Sequence, residues 1–123
     1  MNDIIYNLSL RIENVSPYVD TEFIKKIVEL FHIGSVKKIF IREHIHFEPY
    51  KKTRTAFIYF DYWYETTYNR IRQNILFNQT NNSLILHYDS SNHFELYLWK
   101  QEPLQPSSLY KSLHDGSIFT CFV

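Results

Sequence analysis

The sequence predicts an α+β sandwich, with four antiparallel strands in the ferredoxin-like βαββαβ order, two helices on one face and a C-terminal tail. Apolar residues alternate with period two over Leu8–Ile12, Val36–Arg42, Thr55–Phe60 and Phe94–Trp99. Two stretches of helical spacing lie between them, so the order strand, helix, strand, strand, helix, short strand, strand wraps two strand-helix-strand units around one sheet. At 123 residues, 45% apolar and 18% aromatic, the chain is long enough for one core, too short for two ordinary ones and too apolar for disorder. The domain is expected over residues 1–100, with 101–123 as a tail packed on the domain or on a partner.

Leu8, Leu10 and Ile12 alternate with Ser9, Arg11 and Glu13, as in a strand with one buried face, and Asn14 to Pro17 ends it. Asp20 or Thr21 then serves as N-cap to a helix whose apolar residues are Phe23, Ile24, Ile27, Val28, Leu30 and Phe31. Gly34 is expected to stop that helix in the left-handed conformation. In Val36–Arg42, Ile39 and Ile41 share one side while Lys38, Phe40 and Arg42 share the other. A polar, basic loop is expected from about Glu43 to Thr53, interrupted by Pro49. Thr55–Phe60 is the strongest strand, placing Ala56, Ile58 and Phe60 on one side and Thr55, Phe57 and Tyr59 on the other. From Thr66 to about Leu76 a second helix is expected to present Tyr64, Tyr68, Ile71 and Ile75 as its apolar face. Asn78–Ser83 has turn chemistry, Leu84–Tyr88 reads as a short extra strand, and Asp89–Asn92 is a second turn.

Thirteen basic and thirteen acidic side chains cancel, so the whole molecule exerts no long-range pull on a polyanion or an anionic membrane. Locally, Lys37, Lys38, Arg42, Lys51, Lys52 and Arg54 face only Glu43 and Glu48 in sequence. That segment reads either as an edge strand protected by lysines or as a patch contacting phosphates or a partner. A single cysteine, Cys121, excludes an internal disulfide framework and suits a reducing compartment. No apolar run approaches the length of a membrane helix, and the N-terminus carries no signal pattern, so an intracellular, soluble protein is expected. His44 and His46 lack the further ligands of a zinc site. With Gly34 and Gly116 as the chain's only glycines, no phosphate-binding glycine loop exists. No metal, cofactor or catalytic constellation is therefore expected.

If Ala56, Ile58 and Phe60 enter the core, then Thr55, Phe57 and Tyr59 face the other way, beside Arg11, Phe40, Tyr97 and Trp99. Five of these seven are aromatic, too many for a bare sheet. The strand written Thr53-Arg54-Thr55-Ala56-Phe57-Ile58-Tyr59-Phe60 resembles the longer ribonucleoprotein motif of the RNA recognition motif family at Ala56, Phe57, Ile58 and Phe60. Leu10-Arg11-Ile12-Glu13-Asn14-Val15 resembles the shorter motif at Asn14 and the flanking aliphatics. The likeness covers roughly Leu8 to Lys100. In style it is similar to the divergent single-domain versions encoded by large DNA viruses, with Trp63 and Tyr88-Asp89 in the corresponding places. It implies stacking of single-stranded bases on the sheet. Arg11, Thr55 and Arg54 stand where that pattern has two rings and a glycine, leaving Phe57 as the retained ring.

Two uses of the face follow. In the first, favoured by the substituted rings and the neutral charge, the face docks a protein partner or serves self-assembly, with virion association if the viral resemblance holds. Ile118, Phe119 and Phe122 of the tail are then part of the interface. The alternative is single-stranded RNA or DNA stacked on the rings, with Lys37, Lys38, Arg42, Lys51, Lys52 and Arg54 on its phosphates.

Overall fold

A computed structural model describes residues 5–78 and 83–102. Strand β1 (Leu8–Ile12) runs through the middle of one sheet. Its edges pair antiparallel with β3 (Tyr50–Trp63) and β5 (His93–Gln101). Outside these lie β2 (Gly34–Phe47) against β3 and β4 (Leu84–His87) against β5, giving the order β2-β3-β1-β5-β4. Helix α1 (Thr21–Leu30) connects β1 to β2, and α2 (Thr67–Asn78) connects β3 to β4.

The five-stranded antiparallel sheet overturns the expected four-stranded ferredoxin-like arrangement. Leu84–His87 is a full member, with Leu84 opposite Leu96 and Leu86 opposite Phe94. Leu84 and Leu86 are buried whereas Ile85 and His87 are exposed. Withdrawing this strand would return two leucines to water, at about 1.5–3 kcal/mol each.

The region from Glu43 to Thr53 also departs from expectation, forming strand instead of loop. β2 and β3 pair continuously from Lys38 with Tyr59 to Phe47 with Tyr50, so that the last rungs form a two-stranded arm. β1 pairs with β3 only as far as Ala56, and the arm therefore projects beyond the third strand. Ile45, Phe47, Tyr50 and Thr53 supply strand propensity that the interleaved charges concealed.

Asp20 caps α1, its carboxylate accepting from the Phe23 N–H at 2.8 Å, and Ile24, Ile27 and Val28 turn inward. The helix ends at Phe31 and His32, with His32 in the left-handed region at φ 54°, so Gly34 does not stop it. Gly34 instead opens β2 where backbones meet: an added Cβ would lie 2.9 Å from Trp63 Cα and closer still to the Tyr62 carbonyl.

The expected apolar face of α2 is not its buried one. Tyr68 is 74% exposed and Ile71 49%, while Asn69, Gln73 and Leu76 are buried. Asn69 Nδ2 donates to the carbonyls of Ile33 and Tyr64, both at 2.8 Å, and of His32 at 3.3 Å. Its Oδ1 accepts from Arg72 at 2.8 Å. Gln73 brackets Tyr6, accepting from its N–H at 3.0 Å and donating to its carbonyl at 2.8 Å. Buried backbone groups left unpaired cost about 1–3 kcal/mol each, and that requirement sets the helix's rotation against its hydrophobic pattern.

Ile24, Ile27, Val28 and Leu76 from the helices join Leu8, Leu10, Ile12, Ala56, Ile58, Phe60, Leu84, Leu86, Phe94 and Leu96 in one core cluster. Trp63 completes it, fully buried, with its indole N–H donated to the Leu8 carbonyl at 2.9 Å. Both helices thus pack on one side of the sheet. The opposite side carries neither.

Candidate binding face

Strand alternation sends the neighbours of these core residues to the helix-free side. Arg11 lies between Phe57 on β3 and Tyr97 on β5, and Phe40 on β2 lies opposite Phe57. Trp99 has its place through an irregularity: the β1–β5 register shifts between Ser9 and Leu10, where Trp99 falls between the paired residues Leu98 and Lys100. Its ring meets Phe57 at 4.8 Å, and its indole N–H donates to Tyr59 Oη at 3.2 Å. Phe40 packs on Phe57 at 5.3 Å and stacks on Tyr59 at 5.7 Å with an interplanar angle of 17°. Four of the five predicted rings therefore form one contact chain, Trp99 to Phe57 to Phe40 to Tyr59, closed by the Trp99–Tyr59 hydrogen bond.

Phe57 lies at the bottom of this cluster, only 5% exposed. The rings that meet solvent are Phe40 and Trp99, at 37% and 38%, with Tyr59 and Tyr97 half-buried. Phe57 is thus the foundation of the platform and not its outer surface. Thr55 is half-buried opposite Arg42.

Each of four rings has a cation near it. Arg42 lies 5.5 Å from the Phe57 centroid, Lys38 5.0 Å from Tyr59, Arg11 5.0 Å from Tyr97 and Lys100 5.4 Å from Trp99. Arg11 is held in place, donating to the Leu98 carbonyl at 2.7 Å and to Glu13 at 3.1 Å. Lys100 was missed in the sequence because regular alternation assigns it to the opposite side from Trp99. Its adjacency to that exposed ring was the available signal.

The six-cation segment does not form one patch. Lys38, Arg42 and Lys51 belong to the ring side, and Lys37 is exposed where the β2–β3 register shifts. Lys52 and Arg54 belong to the other side of the arm, where Glu43 lies 3.1 Å from Lys52 and 4.0 Å from Arg54. Arg54 also donates to the carbonyls of Ser16 and Val19, tying β3 to the connection that leads into α1. Its guanidinium is structural, which removes it as a free phosphate contact. The predicted tail residues Ile118, Phe119 and Phe122 lie outside the described residues.

Three groups with shifted pKa values lie off this face. Burial, with Tyr62 and Glu29 nearby, raises Tyr64, and burial lowers Arg72. Asp89 is lowered by hydrogen bonds, foremost from the Asn92 side chain. Among the described residues no three His, Cys, Asp or Glu side chains come together to hold a metal, and no helix is long and apolar enough to cross a membrane. Compared with known proteins, the chain matches no family model, no curated protein and no solved structure.

Proposed function

We propose that the helix-free face binds single-stranded nucleic acid by stacking bases on Phe40 and Trp99 while neighbouring cations meet the phosphates. The observation that carries this reading is the association of Arg42, Lys38 and Lys100 with the ring platform, Arg11 beside Tyr97 being already paired with Glu13. A protein interface centre is depleted in charge, whereas a stacking surface for a polyanion needs both rings and positive charge. The nearby carboxylates are partly engaged: Glu13 pairs with Arg11, and Asp61 accepts from Ser35 at 3.5 Å. Overall neutrality is compatible with a local site, because screening confines the attraction to about 8–10 Å at ordinary ionic strength. The motif likeness in Thr53–Phe60 points the same way, although Phe57 would act by supporting Phe40 and Trp99.

Protein docking on the same face is the competing reading, favoured by the exposure of Phe40 and Trp99. A titration of labelled oligo-dT and oligo-U by fluorescence anisotropy separates the two. Binding is expected at about 50 mM salt and should weaken steeply toward 200 mM. Trp99→Ala or Phe40→Ala should each weaken it by about 1–3 kcal/mol, roughly five- to 150-fold. Undetectable binding of both homopolymers at the lower salt refutes the nucleic-acid reading and leaves protein docking.

A further inference from the structure

Along its paired rungs, from Lys38 with Tyr59 to His46 with Lys51, the arm extends the ring side of the sheet without a carboxylate, and Glu48 lies in the turn at its tip. From Lys38 outward, β2 presents Lys38, Phe40, Arg42, His44 and His46, and the facing residues of β3 are Tyr59, Phe57, Thr55, Thr53 and Lys51. The arm's other side carries Glu43, Ile45 and Phe47 opposite Arg54, Lys52 and Tyr50, with the acid already paired. The two sides therefore differ in kind: one polar, with its cations unpaired to any acid on those rungs, the other apolar, with Lys52 and Arg54 sharing the single acid Glu43. Toward β5 the sheet face has acids of its own, Glu13 on Arg11 and Glu95 near His93. Rungs with positive charge and no acid thus run in one direction, from Phe40 out along the arm as far as His46 and Lys51, short of Glu48 at the tip.

We infer that the arm is a second section of the nucleic-acid site, guiding a single strand off the ring platform past Arg42 and along His44, His46 and Lys51. This rests on the proposed function of the ring face and adds a direction and a length to it. Six residues separate Phe40 from His46, so the arm adds about 20 Å of path at the rise of a strand. His44, His46 and Lys51 are exposed and their nearest cross-strand neighbours are Thr53, Lys51 and His46, so ligand contact requires no core rearrangement. Two-stranded and free of β1, the arm can bend toward a bound strand more readily than the five-stranded body.

The test compares oligo-dT of about five and ten nucleotides, within the usual range of single-strand site sizes, on the full chain and two sets of variants. The triple change His44→Gln, His46→Gln and Lys51→Gln strips the ring side of the arm, while Lys52→Gln changes its other side. The longer strand is expected to bind at least tenfold more tightly than the shorter. The triple variant should lose most of that gain and leave the short strand's affinity within twofold. Lys51→Gln alone should lower the log–log salt slope for the longer strand by about 0.7, the value of one phosphate contact on a single strand. Lys52→Gln should match the unchanged chain. If the short strand binds but the triple variant retains the full length-dependent gain, or Lys52→Gln reduces it equally, the arm inference is overturned while the ring-face reading stands. If neither strand binds, the ring-face reading fails and takes the arm with it. Far-ultraviolet circular dichroism of each variant confirms that the fold is retained.

Discussion

Phe57→Leu tests whether the aromatic platform is a packed structure or a set of loosely exposed rings. Phe57 touches Trp99 at 4.8 Å and Phe40 at 5.3 Å, and Arg42 lies over it at 5.5 Å. Each ring pair contributes about 0.5–1.5 kcal/mol beyond area burial, and an exposed cation–π contact about 0.5–1 kcal/mol. Leucine keeps most of the apolar burial and part of the contact, so a net loss of about 1–2 kcal/mol is expected. Phe57→Ala would remove the buried volume too, at about 3–5 kcal/mol, a large share of the total stability of a domain this size. The leucine variant is therefore the better probe. In urea denaturation followed by far-ultraviolet circular dichroism, with a slope of about 1 kcal/mol/M, its midpoint should fall by roughly 1–2 M. A cycle with Trp99→Leu should show coupling of about 1 kcal/mol, since the two rings are in direct contact. A midpoint shift below about 0.3 M together with zero coupling would refute the placement of Phe57 beneath the platform.

Four further outcomes are expected. Asn69→Asp replaces the amide that donates to three carbonyls with acceptor oxygens, and should destabilise the fold by at least about 3 kcal/mol by chemical denaturation, far more than Asn74→Asp at an exposed site of the same helix. Gln73→Ala should cost about 2 kcal/mol and raise hydrogen exchange at the Tyr6 amide, because both backbone groups of Tyr6 lose their partner. Gly34→Ala should lower the thermal midpoint, since the added Cβ meets the β3 backbone and not a yielding side chain. Asp89, whose carboxyl is held below its ordinary range by Asn92 and Ser91, contributes stability that is present above about pH 4 and disappears as pH falls through its lowered folded value. Carbon-13 titration of the Asp89 carboxyl should place its midpoint below that of a short peptide spanning the turn, and the Asn92→Ala variant should narrow that gap while the Ser91 and backbone donors keep part of it.

The positions of the rings were legible in the sequence because strand alternation is local: once Ala56, Ile58 and Phe60 are assigned to the core, Phe57 and Tyr59 must face away. Alternation also correctly grouped Arg11, Phe40, Tyr97 and Trp99, though Trp99 reaches Phe57 through a register shift that no periodicity reveals. Depth was not legible. Phe57 is buried because Phe40 and Trp99, from two other strands, close over it, and such cover depends on register between distant segments.

Charge gives the same lesson. The sequence located six cations between Lys37 and Arg54, but only pairing separates them: Lys38, Arg42 and Lys51 on the ring side, Lys52 and Arg54 on the other, with Arg54 committed to Ser16 and Val19. Hydrophobic pattern located the strands of the sheet body, while backbone satisfaction determined how α2 is rotated, because Asn69 and Gln73 meet buried groups that no apolar side chain can pair. The fifth strand and the arm were likewise decided by partners, Leu96 and Phe94 for Leu84 and Leu86, and β3 for the far half of β2. By itself the sequence determined which faces are apolar, since that follows from neighbours two to four residues apart. Tertiary structure decided which of those faces are covered and which cations share a side, since those depend on contacts tens of residues apart.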